Sequence, residues 1–133
     1  MYPNLKSGQM GLALKTHKGI SDIKRFDIVI IKNNDRYIVK RVIGLPDEQI
    51  EYKDNKLYIN GNYIEEKYLS DTNTDNFIFK TTGGYFCLGD NRGNSLDSRK
   101  YGEFMQSEIV AILIRRWLCG KLHLTEIRFM KMI

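Results

Sequence analysis

The sequence predicts a mainly β, antiparallel domain. Three observations carry this expectation. Val, Ile, Tyr and Phe gather in short runs, clusters of Asn, Asp and Gly stand between the runs, and no long stretch repeats its apolar residues at helical spacing. The chain has 133 residues and 42% hydrophobic content, which is enough for one buried core and excludes a disordered tail. A net charge of +5 suits an anionic partner, such as an anionic membrane surface, but the cations are scattered rather than massed.

Each element follows from local chemistry. The chain opens on Met1-Tyr2-Pro3-Asn4-Leu5, where Pro3 imposes a bend at once. Residues 8–14 read as a short strand and 15–24 as a polar loop holding His17. Phe26 to Lys32 is a strand with little alternation, so both of its faces should be covered. Asn33-Asn34-Asp35 is turn chemistry, and Tyr37 to Gly44 follows as the hairpin partner. Residues 49–53 and 56–59 flank Asp54-Asn55 as a second hairpin, and Asn60-Gly61-Asn62 turns the chain again. Residues 65–76 are polar and read as an exposed loop. Residues 77–80 and 85–88 are strands separated by Thr81-Thr82-Gly83-Gly84. Ser107-Glu108 begin a helical turn ahead of a strand from Ile109 to Trp117, and residues 121–133 are basic and apolar without a clear period.

Metal chemistry has little support. Cys87 and Cys119 lack metal-ligand spacing, and His17 and His123 are isolated. No cofactor motif is present either. No run is long enough to span a bilayer as a helix, and a membrane segment would have to lie upstream of Met1.

Two stretches suggest chemistry. In Tyr37-Ile38-Val39-Lys40-Arg41-Val42-Ile43-Gly44 a lysine sits among β-formers, with Ile38 and Lys40 on one face and Val39 and Arg41 on the other. Lys40 is either a solvated lysine guarding a strand edge or an amine held among apolar groups. In the second case its charged form loses hydration, its pKa falls, and it becomes a general base. The second stretch is the polar run from Gly89 to Arg99. It reads either as a surface network of turns or as support for a site. Asp97 and Arg99 stand two apart and would share a face of an extended segment, as would Asp90 and Arg92. Ser95 lies between these pairs and can hydrogen-bond an amine.

Four ordered motifs together resemble bacterial type I signal peptidase, a serine–lysine endopeptidase. Met1-Tyr2-Pro3-Asn4-Leu5 is similar to the family's first box from its second position onward, with Asn4 in the threonine place. Phe26-Asp27-Ile28-Val29 resembles a Gly-Asp-Ile-Val box with Phe26 for glycine. Tyr37 to Pro46 matches the lysine box, which then departs at Asp47-Glu48, where the family has Gly-Asp. Gly89 to Arg99 matches the last box at every defined position. Several motifs in order are a far stronger signal than any one alone.

The resemblance implies a small antiparallel sheet or partly open barrel over residues 1–117, with residues 118–133 a tail of unknown role. It implies that Lys40 is the base, that Ser95 orients its amine, and that Asp97 and Arg99 form the supporting ion pair. Asp90 and Arg92 would shore up the same loop. Met1, Leu5, Ile38 and Val39 would meet substrate, an extended signal peptide with small side chains ending in Ala-x-Ala, and ordinary core packing is the alternative for Met1, Leu5 and Val39. The family's nucleophilic serine precedes the residue that is Met1 here. The chain as it stands is therefore expected to be inactive, whether as a fragment cut after that serine, through a misassigned start, or as a non-catalytic relative. Placement on the extracytoplasmic face of the cell membrane follows from the same resemblance, and there Cys87 either pairs with Cys119 or stays a buried thiol. The rival readings are a self-cleaving repressor peptidase, an assembly chaperone for surface polymers, and a basic RNA-binding barrel. The last would need aromatics interleaved with Lys/Arg on one face, a pattern that is absent, so no nucleic acid is expected.

Overall fold

The computed structural model describes residues 1, 4–5, 10–15, 22–114 and 127–131, the strands at 10–15 and 127–131 by their backbone alone. The expectations for His17, Trp117, Cys119, His123 and most of residues 118–133 lie outside the described residues.

Ten short strands form two antiparallel sheets among the described residues. They are β1 (Met10–Lys15), β2 (Ile28–Asn33), β3 (Arg36–Gly44), β4 (Gln49–Lys53), β5 (Lys56–Ile59), β6 (Asn62–Ile64), β7 (Phe77–Lys80), β8 (Phe86–Leu88), β9 (Ile109–Ile114) and β10 (Ile127–Lys131). The larger sheet has the order β10-β1-β9-β2-β3-β8 and the smaller β6-β5-β4-β7. Residues 127–131, within the stretch set apart as a tail, thus pair with β1.

Turn chemistry fixes the hairpins. Asp54 and Asn55 take φ of 51° and 62°, the left-handed pair that a two-residue loop between right-twisted strands requires. Two departures from the family motifs share a backbone conformation. Phe26 and Asp47 both replace glycine and both keep positive φ, 73° and 60°. Asp tolerates this region, but for phenylalanine it is a strained conformation.

Ile28 to Ile31 of β2 are buried on both faces, as their missing alternation predicts. One face of the larger sheet gathers Val29, Ile31, Val42 and Cys87, with Ile38 packed against them. The other gathers Ile28, Ile30, Ala111 and Leu113, against which Met1, Leu5 and Val39 pack. A third cluster joins the sheets: Ile43, Phe86 and Leu88 meet Ile50, Tyr52, Leu57 and Ile59. Phe86 stacks on Phe79 and Phe77 there at 4.8 and 5.5 Å, each such pair adding about 1 kcal/mol beyond its burial. Gly44 sits at this seam because a Cβ would fall 2.4 Å from Ile50 Cδ1.

Two local expectations need correction. Residues 65–76 are not simply an exposed loop: Thr74 is 4% exposed and the Glu66 carboxyl turns inward onto Arg92. A buried guanidinium demands a buried anion, and the loop supplies it. In addition, the extended backbone ends at Asp97 and does not run on to Arg99. Asp97 caps a short helix, α1 (Ser98–Tyr101), too brief to leave a helical period in the sequence.

Candidate active site

Strand alternation sends the two adjacent cations of β3 to opposite faces. Lys40 shares the face of Ile38 and Val42, and its Nζ donates to Ser95 Oγ at 3.0 Å. Ser95 hydrogen-bonds Asp97 in turn. The Ser95 oxygen thus accepts one amine hydrogen and fixes the direction of the Lys40 side chain. Burial lowers the Lys40 pKa below the ordinary lysine value, with the Asp97 and Asp90 carboxylates opposing and Arg99 reinforcing that shift. The Met1 backbone nitrogen lies in the same field, close to Lys40.

Asp97 anchors the loop. Its carboxylate accepts from Gly89 N at 3.0 Å and from Arg99 Nε and Nη2 at 2.9 and 2.8 Å. Burial alone would raise its pKa, but the bonds from Arg99, Gly89 and Ser95 hold it below the usual carboxylate range. Gly89 is packed against the amine–hydroxyl pair so closely that a Cβ on it would lie 2.1 Å from Ser95 Oγ and 3.4 Å from Lys40 Nζ.

Arg41 points the other way and is fully buried. Its Nε and Nη2 donate to the two oxygens of Asp90 at 2.9 and 2.7 Å, and Nη1 donates to the Phe26 carbonyl at 3.0 Å. The guanidinium lies over the Tyr68 ring, 3.9 Å from its centre. Asn4 joins this cluster, donating to Asp90 Oδ2 at 2.7 Å and to the Tyr68 carbonyl at 2.9 Å. The Asn4 side chain thereby ties the N-terminal segment to the floor of the site.

The structure therefore brings Lys40, Ser95, Asp97 and Arg99 together, and it brings Met1, Leu5 and Val39 together. Ile38 stands apart from the latter three, on the Lys40 face. Asp90 and Arg92 do not pair with each other as their spacing suggested. Asp90 pairs with Arg41 and Arg92 with Glu66. The reason is local: residues 90–94 bend and turn, with Asn94 N donating to Asn91 O, so side chains two apart no longer share a face. Sequence reasoning assigned no site role to Arg41, Asn4, Glu66, Tyr68 and Gly89. Asn4, Arg41 and Gly89 lay within the quoted motifs, and Arg41 stood out as the second of two adjacent cations in an apolar strand, whereas Glu66 and Tyr68 carried no signal. Cys87 is fully buried beside this site, and burial pushes its thiol pKa up, so it behaves as packing rather than as a nucleophile.

Comparison with known proteins agrees with the motifs. The family model for signal peptidase, peptidase S26, matches residues 1–118. Signal peptidase I V of Bacillus subtilis (strain 168) is 37% identical over 130 residues, covering 85% of this chain and 77% of the relative. Signal peptidase I T of the same organism is 42% identical over 113 residues, covering 74% of this chain and 58% of the relative. The crystal structure of a signal peptidase I from Enterococcus faecalis V583 superposes with a TM-score of 0.66 at 36% identity, covering 72% of this chain and all of the other. Sequence motifs, fold and the amine–hydroxyl–carboxylate site thus converge, and the chain belongs to the signal peptidase I (peptidase S26) family.

Proposed function

We propose that Lys40 is the general base of a serine endopeptidase that removes signal peptides from exported preproteins, cleaving after Ala-x-Ala. The observation that carries this reading is the Lys40 amine itself: partly buried, lowered in pKa, and held 3.0 Å from Ser95 Oγ. The attacking hydroxyl would be a serine on the residue before Met1. The closeness of the Met1 backbone nitrogen to Lys40 supports that placement.

The serine oxygen attacks the scissile carbonyl carbon while its proton passes to the Lys40 nitrogen. The ammonium then protonates the departing amine as the C–N bond breaks, leaving an acyl-enzyme. Water attacks the ester carbonyl, giving its proton to Lys40, and the Lys40 ammonium returns that proton to the departing serine oxygen as the C–O bond breaks, restoring hydroxyl and neutral amine. Ser95 and Asp97 keep the amine oriented through both steps.

An extended substrate fits the sheet. β8 pairs only with Arg41 to Gly44 of β3, so among the described residues the stretch from Arg36 to Lys40 keeps an open edge on that side. A peptide added there continues the ladder and reaches Lys40. Met1, Leu5 and Val39, which pack side by side on one core cluster, would form the shallow apolar surface that admits alanine and excludes bulk. The membrane-anchored, extracytoplasmic setting belongs to the same proposal, and the net charge of +5 suits an anionic lipid surface.

The test is cleavage of an Ala-x-Ala signal peptide by the protein carrying its native upstream segment. Cleavage that Lys40→Ala abolishes is expected, and a version without the upstream serine should not cleave. Activity surviving in Lys40→Ala would remove the base from the mechanism. An inactive extended protein would favour the assembly-chaperone reading.

A further inference from the structure

Glu66 lies outside every motif that the sequence singles out, yet buried donors converge on its carboxylate. Arg92 Nη2 donates to Oε2 at 2.8 Å, the Tyr52 hydroxyl stands 2.8 Å from both oxygens, and the Tyr68 hydroxyl donates to Oε2. The Glu66 side chain is 6% exposed and that of Arg92 0%.

Two branches leave this carboxylate. Through Arg92, whose Nε holds the Gly89 carbonyl at 2.9 Å, it reaches the glycine packed on Ser95 and Lys40. The Arg92 carbonyl also accepts from Arg99 Nη1 at 2.9 Å, and Arg99 grips Asp97. Through Tyr68 it reaches the other side of the site. The Tyr68 ring supports Arg41, and the Tyr68 carbonyl holds Asn4 and with it the segment that starts at Met1.

We propose that Glu66 is a positioning residue for the proteolytic reaction, setting the Lys40–Ser95 pair and the N-terminal segment in register with each other. This inference rests on the function proposed above. The chemistry requires a carboxylate. The groups that meet its two oxygens all have protons to give, so an amide would turn a donor toward donors. It would also leave the Arg92 guanidinium buried without its anion, and the Gly89 carbonyl would lose a fixed partner.

The experiment compares full-length, membrane-anchored protein with its Glu66→Gln, Tyr52→Phe and Ile59→Val variants on an Ala-x-Ala peptide, with rates expressed per folded molecule. Ile59→Val is a control that loosens the same core cluster, which also holds Tyr52, while removing none of the hydrogen-bonding groups on Glu66. Glu66→Gln is expected to lower kcat on the order of 10²-fold while KM stays within about twofold. Ile59→Val should lower the melting temperature with kcat unchanged. Unchanged kcat in Glu66→Gln, or a rise in KM alone, would overturn the proposal. So would a matching kcat loss in the control. If Glu66→Gln does not fold, Tyr52→Phe decides: it deletes the hydroxyl shared by Glu66 and Arg92, and a fall in kcat supports the role while an unchanged kcat ends it. Lys40→Ala in the same assay separates the two readings. If it is inactive while Glu66→Gln is unaffected, only the role of Glu66 fails.

Discussion

Gly89 and Ser95 touch so closely that a methyl group on the glycine would sit 2.1 Å from the serine oxygen. No backbone strain forbids alanine at residue 89, since its φ is not among the positive ones. The conflict lies with the Ser95 side chain, whose Cβ would also stand only 2.7 Å away. Gly89→Ala should therefore fold, at a cost of about 1–3 kcal/mol, but push Ser95 away from Lys40. A displacement of that size should reduce kcat on the order of 10²-fold. Steady-state kinetics beside a thermal melt will separate the two effects, and full activity in a folded variant would show that Ser95 does not orient the amine.

The pH dependence has a definite sign. The base works only when neutral, so activity rises as pH climbs through the Lys40 pKa. Burial sets that pKa below the ordinary 10.5. The acid limb of kcat/KM should accordingly lie below the usual lysine range. Stability shifts in the same direction. Between the lowered folded value and the ordinary one, the unfolded chain binds more protons at this site, so folding is favoured as pH rises across that window. Lys40→Arg cannot lose its proton and should be inactive at every pH. An acid limb at the ordinary lysine value would contradict the geometry.

The Arg41–Asp90 pair is buried on both sides, with side-chain exposures of 1% and 0%. Removing one partner strands the other. Asp90→Ala should cost about 3–5 kcal/mol in denaturant melts, whereas a paired replacement, Arg41→Met with Asp90→Leu, should cost less. Equal losses in the single and double variants would mean that the pair matters mainly through its bonds to Asn4 and Phe26.

At residue 26 the ordinary ranking of substitutions should invert. Phe26 holds φ at 73° while its ring meets Tyr68 edge-on at 5.2 Å. Alanine would lose the ring and keep the strained backbone, and glycine would lose the ring but relieve the strain. Phe26→Gly should thus be more stable than Phe26→Ala by about 1 kcal/mol, both falling below the parent. Urea midpoints of the pair check this directly, and an alanine variant as stable as the glycine one would refute it.

The strands were legible because apolar runs and Asn/Asp/Gly turns mark them locally. β2, the β2–β3 hairpin and the β4–β5 hairpin all appear where those signals stand. Lys40, Ser95 and Asp97 were legible as a set through ordered motifs, and their convergence is a fact of geometry. The partners of Asp90 and Arg92 were not legible. Spacing of two predicts a shared face only in extended chain, and residues 90–94 turn. Glu66 and Tyr68 were hidden for another reason: a loop packed inward by single anchors leaves no period to read. The cap formed by Asp97 was not legible either, because α1 behind it is too short to announce itself.

The β2–β3 ladder sets Lys40 opposite Val29 and Arg41 opposite Ile28. Sliding β3 by a single residue would exchange the two cations between faces. The guanidinium would then confront a serine that cannot neutralise it, and the amine would face a carboxylate fork built for a planar group. Misaligned hairpins are therefore penalised on both sides at once, and the two neighbouring cations proofread the assembly of the strand that carries them.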